Sequence, residues 1–316
     1  MRLRLRWLMV GGLIALTAGA GAPPAKNNLK VVMLGDSVTL SKHNPAGQKL
    51  CDYVGKALET LSKEKGGPAW TVVNQGVGSE TVGGGQGRVA GILDREKPDV
   101  ITVCYGLNDT GLRDPAWFRE HLAGLVEIVG KHPSAPRIML VTTTPFDNKR
   151  HGWGSNAFYI QAGGLDRYLD REINGITRAF AFEKNLPLCD LHRHFLRDPK
   201  HLQYLTGDGV HLVPEGNEYA GTYIARCLYE MCRARVAGDA DRLKTEGKVK
   251  PVLEKARKAL RDPLNEQSRR ETQTALEGVW ELCPYLPESV VLLDELAKSQ
   301  EARPQGSQPR DVPAKK

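Results

Sequence analysis

The chain contains no C-x-x-C pair. Its six cysteines, at 51, 104, 189, 227, 232 and 283, are scattered, so neither a zinc framework nor a thioredoxin-type site is indicated. No G-x-G-x-x-G and no GKS or GKT occurs, which removes the standard phosphate cradles despite a glycine-rich stretch at 76–87. That stretch reads instead as a turn with exposed N–H groups. Zinc fingers, basic helices and alternation of aromatic with basic residues are also missing, so nucleic acid is not an expected partner. Beyond the first twenty residues no apolar run is long enough to span a bilayer.

What is present begins with "MRLRLRWLMVGGLIALTAGAGAPPA": a basic head, a short apolar core and an Ala-x-Ala site at Ala18 to Ala20. This is the layout of a secretory signal peptide over residues 1–20, with a secreted or periplasmic destination. Its removal takes Arg2, Arg4 and Arg6 and lowers the net charge from +7 to +4. Such a modest excess can favour acidic substrates or surfaces but is weak evidence for nucleic acid. Export would permit disulfides. Cys104 and Cys189, however, lie in apolar strand-like runs and read as small buried side chains.

After a spacer (21–29), strand-like and helix-like runs alternate from 30 to 237. "LKVVMLG", "AWTVVNQG", "DVITVCYG", "PRIMLVTTTP" and "LPLCDLHRHF" read as strands, and the segments between and after them as helices. In "GQKLCDYVGKALETLSKE", for instance, Leu50, Val54, Leu58 and Leu61 share one helical face. The alternation predicts an α/β fold with a central parallel sheet covered on both faces. Ligands of such sheets sit outside the carboxyl ends of the strands. From 238 to 302 no strand-like run occurs, and the charged helical pattern predicts a solvated helical extension; a polar tail, 303–316, should be disordered.

The strand ends hold "GDSVTL", "NQGVGSETVGGGQG" and "GLNDTG", and a late loop holds "TGDGVH". Each has an ordinary reading. Asp36 or Ser37 could cap a helix, Asn108 could serve only a Gly-flanked turn, and Asp208 and His211 could be two polar residues of a loop. Read chemically, a serine at a strand end needs a base to become a nucleophile. An Asp three residues before a His could supply the base and its orienter.

Together, and in this order, the four blocks resemble the SGNH (GDSL-type) hydrolase family over residues 30–237. The resemblance implies a flavodoxin-like three-layer α/β/α fold and a cofactor-free hydrolase of acyl or acetyl esters. It implies Ser37 as nucleophile, His211 as general base and Asp208 as the carboxylate on the imidazole. It also implies an oxyanion hole from the Ser37 N–H, a backbone N–H of the second block and the Asn108 side chain. The second block departs from the common N-x-G-x-S-G: Asn74-Gln75-Gly76-Val77-Gly78-Ser79 exchanges its last two residues. The donor is therefore Ser79 or Gly78.

Asp190, His192 and His194 would share one face if "DLHRHF" were a strand, which suggests a metal cluster. No further ligand stands at a fitting spacing, so no metal is expected. The long segment "FDNKRHGWGSNAFYIQAGG" follows the fourth strand and should form the rim of the site, with Trp153, Phe158 and Tyr159 either stacking on sugar or packing the loop down. The expected partner is an ester, an acylated carbohydrate. The alternatives are a lysophospholipase or thioesterase of the same family, and a non-catalytic carbohydrate-binding or interaction module.

Overall fold

The computed structural model describes residues 28–233, 239–261 and 265–301. The segment expected to be a signal peptide (1–20), nearly all of the expected spacer and the expected tail (303–316) lie outside these residues.

The first strand, β1 (Asn28–Gly35), is buried from Val31 to its end. It is followed by the single turn α1 (Ser37–Leu40) and by α2 (Leu50–Lys65), β2 (Ala69–Gly76), α3 (Val82–Glu96) and β3 (Val100–Cys104). Next come α4 (Leu107–Leu112), α5 (Pro115–Lys131) and β4 (Arg137–Val141). The short α6 (Ala157–Gln161) and α7 (Leu165–Tyr168) precede α8 (Gly175–Glu183), β5 (Leu188–Cys189), α9 (Leu191–Leu196) and α10 (Pro214–Arg233). All strand pairs are parallel, in the order β2-β1-β3-β4-β5. That is the flavodoxin-like order.

The apolar runs account for the architecture. Val31, Val32, Leu34, Ile101 and Leu140 are fully buried, because helices cover both faces of the sheet. The crossovers set α2 against α10 on one face and α3, α5 and α8 on the other. The chain leaves β1 for β2 on one side and later returns to β3 on the other. The strand order thus reverses between β1 and β3, and a crevice opens at their carboxyl ends.

Two expectations change. The strand at "LPLCDLHRHF" stops after Cys189, because Asp190 caps a helix there, accepting the N–H of Arg193. Asp190 also accepts hydrogen bonds from Thr142 (2.8 Å) and from buried Arg178 (2.9 Å), contacts that hold the chain in its turn. Asp190, His192 and His194 therefore do not share a strand face. His192 is buried between Asp166 (3.1 Å) and Asp170 (3.2 Å). Burial alone would lower its pKa, but these two carboxylates outweigh it and raise it to about 9, so the ring is an imidazolium with no lone pair for a metal. His194 stacks between Tyr219 and Tyr223, with ring centroids 4.4 and 3.9 Å away.

The extension is helical, as α11 (Asp239–Ala259), α12 (Glu266–Leu282) and α13 (Pro287–Glu301). It is not, however, a solvated appendage. Leu276, Val279, Leu292 and Leu293 form a small core with α11, while Trp280 and Val290 join the main one. The Leu188 N–H of β5 donates to the Tyr285 carbonyl at 3.0 Å. Asp294 pairs with Arg178 (3.6 Å) and closely with Arg193. The charges that suggested a wetted surface are partly internal contacts. A chain ending at residue 238 is expected to be insoluble or to melt at least about 10 °C below the full chain, since losing one buried Trp alone costs about 3–5 kcal/mol. A soluble truncated protein melting within a few degrees of the full chain would restore the appendage.

The turn from β1 into α1 carries a second energetic consequence. Asp36 is buried, and its Oδ1 accepts the Val38 N–H at 3.0 Å. Burial is the main influence on its carboxyl and, with the charges of Asp109 and Glu80, raises its pKa to about 7 against the pull of that hydrogen bond. Its folded pKa lies above the unfolded one, so its contribution to stability is complete below about pH 4 and is lost as pH rises through about 7. Asp36→Asn keeps an oxygen for the cap and cannot ionise. Its melting temperature relative to the parent should rise between pH 4.5 and pH 8; an offset independent of pH contradicts the assignment.

Candidate active site

Ser37 opens α1 at the carboxyl end of β1, where Asp36 caps the turn. The loop from Thr206 to His211 reaches it from far along the chain. A bridge between Leu205 and Leu212 closes that loop, helped by Thr206 N–H to the His211 carbonyl at 2.7 Å. Gly209 has a φ of +74°, and a Cβ there would lie 2.9 Å from the His151 nitrogen. Glycine thus serves both the turn and its docking on the 146–153 segment, where the Asp147 N–H donates to the Gly209 carbonyl at 2.8 Å.

The His211 Nε2 lies 2.9 Å from Ser37 Oγ, and its Nδ1 lies 2.6 Å from Asp208 Oδ2. The Asp208 carboxylate also accepts from the Thr206 hydroxyl at 2.6 Å and from the N–H groups of Val210 and His211 at 3.0 and 3.1 Å. Burial is the largest influence and would raise its pKa. The hydrogen bonds from Thr206, His211 and the two amides outweigh it and hold the carboxyl well below its ordinary range. An anion is therefore fixed on Nδ1, which keeps the Nδ1 proton in place and leaves the Nε2 lone pair toward the serine.

Val77 to Glu80 form a turn closed by a 3.4 Å bond from Glu80 N–H to the Val77 carbonyl, with Ser79 at φ +60°. Among the described residues no hydrogen bond uses the Gly78 or Ser79 N–H. Both residues line the cavity that holds Ser37. Asn108 stands in the first turn of α4, and its Nδ2 donates to the Glu80 carbonyl at 3.0 Å. One amide hydrogen anchors the side chain while the second is left for a ligand. Glu80 is itself clamped: its carboxylate takes Arg88 Nε at 2.7 Å and the Tyr105 hydroxyl at 2.6 Å. Asp109 Oδ1 accepts the Val82 N–H at 3.1 Å and ties α4 to the start of α3.

The cavity has a volume of about 270 Å³ and brings together Ser37, Gly78, Ser79, Asn108, Trp153 and His211, with Asp208 behind the imidazole. Trp153 is seated against Gly111, where a Cβ would come within 2.4 Å of its ring. The other two rim residues fall elsewhere. Tyr159 is buried and its hydroxyl donates to the Thr110 carbonyl at 2.8 Å. Phe158 is exposed and packs edge-on to Tyr159 and Tyr168. The cap of α6, Asn156 accepting the Phe158 N–H, starts a helix that turns both rings away from the cavity. Those two therefore serve the loop and do not line the site.

Sequence reasoning overlooked Lys42, His43, Phe146 and His151, which also line the cavity. His151 stood within the quoted rim segment, but nothing marked it against its neighbours. The Glu80–Arg88–Tyr105 clamp was equally hidden, since its members come from a turn, a helix and a strand end.

The arrangement is a hydroxyl with an imidazole acceptor, a carboxylate that orients the imidazole, and free amide donors across the cavity. The GDSL-like lipase/acylhydrolase family model matches residues 33–219. An arylesterase of Vibrio mimicus is 23% identical over 202 residues, covering 63% of this chain and 88% of that protein. Among solved structures, a lipase/acylhydrolase from Enterococcus faecalis superposes with a TM-score of 0.50 at 25% identity, covering 63% of this chain and 94% of that one. A variant of an acetyl-xylooligosaccharide esterase from Geobacillus has a TM-score of 0.50 at 20% identity, covering 63% and 93%, a likeness of fold. With more than half of its length matched, the chain belongs to the GDSL-like lipase/acylhydrolase family and is a carboxylic ester hydrolase.

Proposed function

We propose that the protein is an exported serine esterase that removes a small acyl group, acetyl, from a carbohydrate. The observation that carries the catalytic part is the continuous contact from Asp208 through His211 to Ser37, at 2.6 and 2.9 Å. Ser37 Oγ attacks the ester carbonyl while His211 Nε2 takes its proton. The carbonyl oxygen becomes an oxyanion in reach of Asn108 Nδ2, the Ser37 N–H and the N–H of Gly78 or Ser79. His211 then returns the proton to the leaving alkoxide as the C–O bond breaks. Water, deprotonated by the same imidazole, cleaves the acyl-enzyme and restores Ser37.

The size and walls of the cavity support a small acyl group. Its 270 Å³ are bounded by Leu40, Leu107 and Phe146 but also by histidines and Lys42. A long chain would call for a continuous apolar channel. The same fold carries an acetyl-xylooligosaccharide esterase, so the scaffold accommodates this chemistry. Export is supported by the basic head, apolar core and Ala18–Ala20 site. The purified protein, collected from outside the cytoplasm with its first residue at Gly21, should cleave p-nitrophenyl acetate faster than the octanoate. Ser37→Ala should abolish both reactions with an unchanged circular-dichroism spectrum. Octanoate preferred over acetate would favour the lysophospholipase or thioesterase alternative, and activity surviving in Ser37→Ala would remove the nucleophile.

Asn108 and Trp153 should separate in steady-state kinetics. Asn108 meets charge that exists only in the transition state, so Asn108→Ala should lower kcat about a hundredfold or more with little change in KM. Trp153 borders the entrance, and Trp153→Ala should mainly raise KM for a sugar ester. Asn108→Ala raising KM while sparing kcat would return Asn108 to a turn residue.

A further inference from the structure

We infer that the alcohol half of the substrate carries an anionic group, so that the site takes an acylated acidic sugar in preference to a neutral one; this rests on the esterase reading above. His211 must hand its proton to the leaving alkoxide, so the alcohol lies on the His211 side of the cavity. His43 bounds that side, its ring edge-on to His211 with centroids 5.6 Å apart. Lys42 precedes it, is exposed, lines the same cavity and forms no ion pair among the described residues. His151 completes the wall. Its Nδ1 accepts the Trp153 N–H at 3.3 Å, which puts the ring proton on Nε2 and leaves a neutral donor. Burial, the largest influence, lowers the pKa of that ring against the pull of Asp208.

Among the described residues no Asp or Glu lines the cavity to cancel the lysine. Of the carboxylates close by, Asp36 and Asp109 are buried and do not line the cavity, and the others are committed. Asp208 is held by His211, Thr206 and two amides. Asp147 binds Arg150 Nε at 2.6 Å, and Glu80 binds Arg88 and Tyr105. An ammonium with no counterion among the described residues, beside an N–H donor and at the place where the alcohol must sit, is complementary to a carboxylate or sulfate on that alcohol. A charged hydrogen bond of this kind is worth about tenfold in affinity.

The test compares three esters of matched shape on the full chain: 3-acetoxybenzoate, 3-acetoxybenzenesulfonate and neutral 3-acetoxybenzamide, each normalised to its spontaneous hydrolysis. The parent should prefer at least one anionic ester over the amide by about tenfold in kcat/KM, with the preference shrinking in 0.5 M NaCl, as screening requires. A preference for the benzoate alone points to a uronate sugar, and one shared with the sulfonate to sulfated sugars as well. In Lys42→Gln the anion-to-amide ratio should fall toward one. Acetate release should then run faster on an acetylated polyuronate than on acetylated xylan. A ratio of one or less in the parent, or a ratio unchanged in Lys42→Gln, overturns the inference while leaving the esterase intact. Absence of Ser37-dependent turnover of all three esters overturns the esterase reading, and this inference with it.

Discussion

The contact of Ser37 with His211 joins residues 174 positions apart at 2.9 Å, and the rest of the structure can be understood as what holds it. Ser37 is fixed by the end of β1, which lies between β2 and β3 in the sheet. Loss of one pairing would move the serine out of reach. His211 is fixed from the other side by a closed loop, a glycine with positive φ and the start of α10 at Pro214. The tolerance of a hydrogen bond, a few tenths of an ångström, sets the accuracy that the core must deliver.

Electrostatics divides the carboxylates near the site into two kinds. Asp208 is kept ionised by hydrogen bonds from four groups, which suits a carboxylate that must steady an imidazolium. Asp36 and Asp109 are pushed the other way, chiefly by burial, to about 7 and about 6, although each accepts a backbone N–H. Both adjoin residues that touch substrate in the proposed reaction, Ser37 and Asn108. Their burial disfavours the ionised state, while Asp36 caps the turn that carries the serine and Asp109 ties α4, which carries the amide, to the start of α3. Stability is given up where position is needed.

Much of this is legible in the amino-acid sequence. The alternation of apolar runs indicates a parallel sheet with its ligand edge at the strand ends, and the resemblance of four ordered blocks to the SGNH family implies Ser37, Asn108, Asp208 and His211 as neighbours there. Ambiguities lay where one local pattern serves two structures. "DLHRHF" alternates like a strand, but Asp190 takes Arg178, Arg193 and Thr142 together and caps a helix instead. Arg193 and Asp294 look like surface charges in sequence, yet they meet across α9 and α13. Phe158 and Tyr159 are adjacent aromatics in a rim segment, and only the cap at Asn156 turns them away. Each of these outcomes depends on a partner more than fifteen residues away or on a single capping bond, which periodicity does not encode.

The central claim is that Ser37 is activated through His211 by Asp208. Its most direct measurement is the rate at which a fluorophosphonate labels the protein, with the modified residue located by mass spectrometry. Labelling should fall on Ser37 and be lost on denaturation. It should slow by about a thousandfold or more in Asp208→Asn, where the imidazole is presented in the wrong tautomer. Labelling at another residue, or at Ser37 with equal rates in the parent and in Asp208→Asn, would contradict the account.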